Sequence, residues 1–127
     1  MNLYSALTYV FVSLAGLCVV VAAPYLGGGV KEYSSFLPWI RAGVEGQSWW
    51  TVGGLAFVGF FAGYLRRQVP WLLGFSTVAL LPLWATIEMG LDPTSHNLWP
   101  LEFGIYAFWG LMASAGAHAG VRLRRNR

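Results

Sequence analysis

Polar residues divide the chain into four long apolar runs, near 3–23, 48–65, 69–88 and 100–121. Each is close to the ~20 residues that a helix needs to cross a ~30 Å hydrocarbon core. Three polar breaks separate them: a long one over 24–47, a tight one at 66–68, and one between Glu88 and Pro100. The pattern predicts an all-α fold, an integral membrane four-helix up-down bundle with a short interfacial helix in its first outer loop. Four spans use most of residues 1–127, which predicts a single transmembrane domain with no room for a soluble module.

The first run, LYSALTYVFVSLAGLCVVVAA, is long for a signal core, and no Lys or Arg precedes it, so it reads as a retained helix. Its small residues Ser5, Ser13, Ala15 and Gly16 suit close helix packing. Pro24 is expected to end it, with Gly27, Gly28 and Gly29 as a hinge. In the loop that follows, Ser34 or Ser35 is placed to cap a short helix with Pro38 in its first turn. Phe36, Leu37, Ile40 and Val44 would share its apolar face, and Trp39 suits the headgroup level. About ten residues cannot cross a bilayer, so this helix is expected to lie on it; the sharper alternative is a lid over a site.

Trp49 and Trp50 mark an aromatic belt at the start of the second run. Gly59 and Gly63 form a GxxxG there, and Gly116 and Gly120 form another in the fourth run. Apolar side chains gain little over lipid, so glycine faces of this kind drive close helix packing, within one chain or between copies. They predict a tightly packed bundle or a homo-oligomer, or membership of a larger membrane complex. Arg66, Arg67 and Gln68 make a tight turn, and Pro70 opens the third run near position N1. Pro82 inside that run predicts a kink that frees the Val78 carbonyl, to be relieved by Thr77, Ser76 or a neighbouring helix.

Composition supports the membrane reading. The chain is 57% hydrophobic and 10% charged, where soluble domains carry about 25% charged residues. The mean hydropathy is +0.56, and the formal charge is +3 with a pI near 9.4. The cations are lopsided: Arg66 and Arg67 in the tight turn, and Arg122, Arg124, Arg125 and Arg127 after the fourth run. The positive-inside rule puts these borders, and both termini, on the cytoplasmic side of the cell's inner membrane. The arginine tail therefore reads as a topology anchor and not as a nucleic-acid site. Cys18 stands alone within the first run, as a small hydrophobe.

Candidate chemistry gathers in TIEMGLDPTSHNLWPLEFGIY, residues 86–106. Singly, its polar residues have ordinary explanations. Asp92 before Pro93 reads as a helix cap, Asn97 as a turn residue, His96 as solvated, and Glu102 as a carboxylate favoured by a helix N-terminus. Jointly, Glu88, Asp92, His96, Asn97, Trp99 and Glu102 form a cluster that would bind a ligand at the outer face. Glu88 lies at the apolar boundary, where an unpaired charge costs several kcal/mol. Arg41, Lys31 and His96 are the cations within reach, and Trp49, Trp50 and Trp99 would roof the cleft. One histidine among carboxylates lacks the spacing of a metal motif, so no metal is assigned. Glu88 and His96 are the candidate catalytic pair, as general acid and base, yet no nucleophile, phosphate-binding or redox motif accompanies them.

His118 lies sixteen residues past Glu102, about 24 Å along a helix, so the two belong to different sites. A hydrogen bond to another helix is its simplest role; haem ligation would require a symmetry mate. No cofactor is indicated. Three readings follow: a non-enzymatic accessory subunit or self-associating binding protein, favoured here; a small transporter or channel with Glu88 as its intramembrane acid; and a membrane enzyme acting on a lipid-like substrate.

Overall fold

The computed structural model describes residues 3–28, 37–66, 69–92 and 99–126. Six helices follow in order: α1 (Leu3–Leu26), α2 (Pro38–Glu45), α3 (Trp49–Leu65), α4 (Pro70–Ser76), α5 (Leu80–Leu91) and α6 (Trp99–Arg125). No strand occurs among the described residues. Two helical stretches are long and apolar enough to cross a membrane: α1, and α4 with α5 as the 22-residue stretch Pro70–Leu91. A third is reached when α2 and α3, bent by 102° at their junction, count as one. The difference from four uniform spans has two local causes. α3 by itself is only 17 residues. α6 has 27, but glycine, alanine and serine fill its middle, and Arg122, Arg124 and Arg125 end it.

α3 and α6 form the closest pair, and glycine makes it close. A Cβ on Gly59 would strike the Ala113 carbonyl oxygen, and one on Gly63 would strike that of Ala117. In return, Gly116 stands over the Ala56 carbonyl and Gly120 over that of Phe60. Partner numbers rise together along both helices, so α3 and α6 run parallel. Backbone-to-backbone approach of this kind permits Cα–H···O contacts of about 0.5–1 kcal/mol each. Both GxxxG faces are thus occupied within one chain.

α4 reaches α6 by the same means. Gly74 abuts Ser114, whose Oγ donates to the Gly110 carbonyl at 2.7 Å and lies 3.3 Å from the Trp71 carbonyl across the interface. Gly16 of α1 stands over the Thr77 carbonyl at the junction of α4 and α5. Leu55, Leu81, Trp84, Tyr106 and Trp109 are buried between the helices in the half that holds Glu88, and Val12, Leu73 and Ala117 in the other half.

Both prolines act differently from expectation. Pro24 does not end α1, which continues to Leu26. Lacking an N–H, it cannot bond the Val20 carbonyl four residues back. Gly43 of α2 sits against that same oxygen, so the proline exposes an acceptor and the neighbouring glycine covers it. At Pro82 the Val78 carbonyl takes the Leu81 N–H at 3.0 Å, three residues on. Thr77, Val78 and Ala79 likewise bond three residues back, at 3.1–3.2 Å, as a short 3₁₀ segment. The side chains proposed as donors look elsewhere: Thr77 Oγ1 to the Gly74 carbonyl and Ser76 Oγ to the Leu72 carbonyl, both at 2.7 Å.

α2 begins at Pro38 behind Leu37, which offers no side-chain cap; Ser34, Ser35 and Phe36 lie outside the described residues. Ile40 and Val44 are buried as the apolar face required. At the opposite end of the molecule, Arg124 of α6 donates to the Tyr64 and Leu65 carbonyls at 3.2 and 2.9 Å. These belong to the last turn of α3, whose carbonyls lack helical donors, so one arginine closes α3 and ties it to α6.

Gly63→Ala is expected to destabilise the detergent-solubilised protein by about 1–3 kcal/mol, because the added methyl meets backbone. Gly53→Ala, where a Cβ meets nothing within 4 Å, should be neutral or stabilising by up to ~1 kcal/mol. Thermal melts followed by circular dichroism check the contrast. Arg124→Ala should cost about 0.3–1 kcal/mol in the same assay.

Candidate functional site

Three helices carry polar side chains to one place. On α5, Leu81, Trp84, Ala85 and Glu88 follow helical spacing and are all buried. Glu88 ends this stripe, only 3% exposed. On α6, Glu102 lies in the first turn and is partly buried, with buried Tyr106 one turn below. α2 crosses above, seated on α1 through Gly43 and on the core through Ile40 and Val44. That seating aims Arg41 inward.

Arg41 Nε donates to Glu45 Oε1 at 2.9 Å, one turn along α2, and Arg41 Nη1 lies 3.8 Å from Glu88 Oε1. The two pairs differ in weight. The Arg41–Glu45 pair is half in water, and exposed pairs of this spacing contribute about 0.3–0.5 kcal/mol. The Glu88 side chain is 4% exposed and that of Arg41 24%. Their attraction at this distance is on the order of 4 kcal/mol in an effective dielectric of ~20. Desolvation costs several kcal/mol per ion and offsets it. The pair therefore adds little net stability, but removing the guanidinium would leave a buried carboxylate with one cation fewer. The bond to Glu45, together with the nearby charges of Glu88 and Glu102, holds the Arg41 guanidinium more firmly protonated than usual, against the opposing effect of its burial.

Beneath the charges lies an aromatic ladder on α6. Trp99 and Phe103 meet edge-on with centroids 6.1 Å apart; Phe103 to Tyr106 is 5.9 Å and Tyr106 to Trp109 is 6.0 Å. The Tyr106 hydroxyl is buried with no hydrogen-bond partner among the described residues. Sequence reasoning passed over Tyr106 and Trp84. The signal was there: each lies four residues from a candidate carboxylate, on the same helix face.

Other candidates fall differently. Asp92 is the C-cap of α5, its N–H bonded to the Glu88 carbonyl at 2.8 Å, and is exposed. His96, Asn97 and Lys31 lie outside the described residues, so the Glu88–His96 pairing does too. Trp49, Trp50 and Trp99 are 88%, 61% and 53% exposed. They face outward as a belt, and the cover over Glu88 comes from α2 instead of from a tryptophan roof. Among the described residues, no three His, Cys, Asp or Glu side chains converge to hold a metal ion.

His118 is exposed, and its Nδ1 lies 2.8 Å from the Ser114 carbonyl one turn back on its own helix. The expected bond to another helix is replaced by this local one. Cys18 is exposed on α1. Comparison with protein families, with curated proteins and with solved structures finds no match.

Arg41→Gln leaves the Glu88 carboxylate buried beside fewer cations and is expected to cost about 3 kcal/mol. Glu88→Gln should cost less, since Arg41 retains Glu45, and the double variant should be more stable than Arg41→Gln alone. Chemical or thermal unfolding of the three variants checks the order.

Proposed function

We propose that the chain is a four-span inner-membrane protein with both termini cytoplasmic, acting as a non-enzymatic accessory or ligand-binding subunit through its extracytoplasmic cluster. α1, α3, the α4–α5 stretch and α6 would be the spans, and α2 an outer helix seated on them. Support for the spans comes from α1 and the α4–α5 stretch, both long and apolar enough to cross. The parallel course of α3 and α6 suits two spans separated by one crossing back. Charge supports the orientation: Arg66, Arg122, Arg124 and Arg125 stand at one border, and Glu45, Glu88, Asp92 and Glu102 lie toward the other.

The observation that carries the binding reading is Glu88, buried at a point where α2, α5 and α6 meet and faced by Arg41 at 3.8 Å. A charged group in such a place is by default functional. Self-association through GxxxG loses its support, because those glycines already face partner backbones inside the chain. A lasting association with a different membrane protein, or with a ligand at the outer border, keeps it. One observation favours a transporter as the second reading: the α4–α5 stretch is interrupted just before Pro82 by a 3₁₀ segment at 77–79, with Thr77 and Val78 buried and Ala79 exposed, a place where a span can bend.

Native purification in mild detergent should yield a stable heteromeric complex that the Arg41→Gln/Glu88→Gln double variant dissolves while its own fold persists. A chain that purifies alone, and passes protons or cations into liposomes unless Glu88 is changed to Gln, would be a transporter instead. Topology has its own check. In a Cys18→Ala background, a thiol placed at Ser95 should react only with a reagent outside the inner membrane; labelling only from the cytosol inverts the orientation.

A further inference from the structure

The inner border holds a second feature. Between α1 and α3 runs an open groove of about 350 Å³, with Tyr4 and Arg66 at its mouth and Leu7, Phe11, Val12 and Ala62 along its walls. From Tyr4 to Val12 is eight residues of α1, about 12 Å along the axis. Its walls are mostly apolar, with Thr8 among them, and the Arg66 side chain at its mouth is exposed. Arg124 sits beside that mouth, fixed by its bonds to the Tyr64 and Leu65 carbonyls. Among the described residues no carboxylate shares this border; Glu102 lies twenty-two residues from Arg124 on the same helix, about 33 Å away. An apolar slot with unbalanced cations at one end is complementary to one kind of molecule, an amphiphile with an anionic head.

We infer that this groove is a binding site for an anionic phospholipid of the cytoplasmic leaflet, one acyl chain lying between α1 and α3 and the headgroup phosphate on Arg66. The site rests on the membrane reading above, but not on the outer cluster. The lipid would fill a gap that side chains leave open between α1 and α3. Basic side chains favour anionic headgroups through charge, and the groove adds position.

The test uses the full chain in detergent, with lipid adducts counted by native mass spectrometry. Phosphatidylglycerol and phosphatidylcholine of identical acyl chains are offered in equal amounts, with glycerol phosphate as a headgroup lacking chains. Phosphatidylglycerol should be retained roughly five-fold over phosphatidylcholine, the preference expected of one basic side chain, and glycerol phosphate not at all. Arg66→Gln should bring the two lipids near parity. Leu7→Trp, which fills the groove, should lower the retention of both. Arg125→Gln, an equal loss of charge away from the groove, should leave the preference intact. Equal retention of the two lipids by the unaltered chain, an Arg125→Gln effect as large as that of Arg66→Gln, or retention of glycerol phosphate alone would overturn the site. A chain that is monomeric and folded in buffer without detergent would overturn the membrane reading itself, which separates the two failures.

Discussion

Close approach of glycine to a neighbouring backbone carbonyl is the constraint on which this bundle depends. It recurs at Gly16 over Thr77, Gly43 over Val20, Gly59 over Ala113, Gly63 over Ala117, Gly116 over Ala56 and Gly120 over Phe60. Within a membrane, burying side chains would gain little, because lipid is as oily as leucine. What remains is dispersion between closely fitted surfaces and weak polar contact between backbones, and both need the absence of a Cβ. α6 uses the device toward α3, and α4 turns its own Gly74 toward α6. The helix with the most small residues is thus the central one, although its hydropathy makes it the poorest candidate span.

Proline and glycine cooperate across helices. Pro24 strips the Val20 carbonyl of its helical donor, and Gly43 settles on that oxygen. This seat positions α2, and α2 in turn carries Arg41 to Glu88. A backbone feature of α1 therefore decides the electrostatics of α5. The chain stays helical through Pro24, close to its last turn, whereas at Pro82 the loss falls mid-stretch and is absorbed by 3₁₀ bonds.

The two ends of the molecule handle charge in opposite ways. At the end where α2 crosses, the Glu88 carboxylate and the Arg41 guanidinium are drawn together under cover, where desolvation nearly cancels attraction and the pair serves placement more than stability. At the opposite end Arg66, Arg122, Arg124 and Arg125 stay exposed, and Arg124 finishes α3 by donating to carbonyls that the helix's own N–H groups cannot reach. A tail that reads as a topology signal is also part of the helix packing.

Much was legible from residue types alone. Apolar run lengths, the small-residue faces and the crowding of most arginines at one border are features of short windows of sequence, and each is local. Arg41 could be named among the cations available to Glu88, but its contact with Glu88 could not be read from the sequence. That contact needs the seat of α2, which depends on Gly43 meeting a carbonyl twenty-three residues earlier. Which glycine face meets which was equally closed to inspection: two GxxxG motifs are the same signal whether they pair with each other or with another copy. The sequence by itself determined helix content, the apolar stretches and the two charged borders, because these depend on composition over short windows. Only the tertiary structure decided the parallel α3–α6 pair, the course of α1 through Pro24 and the Arg41–Glu88 contact, because each depends on backbone atoms far apart in the chain coming within van der Waals or ionic reach.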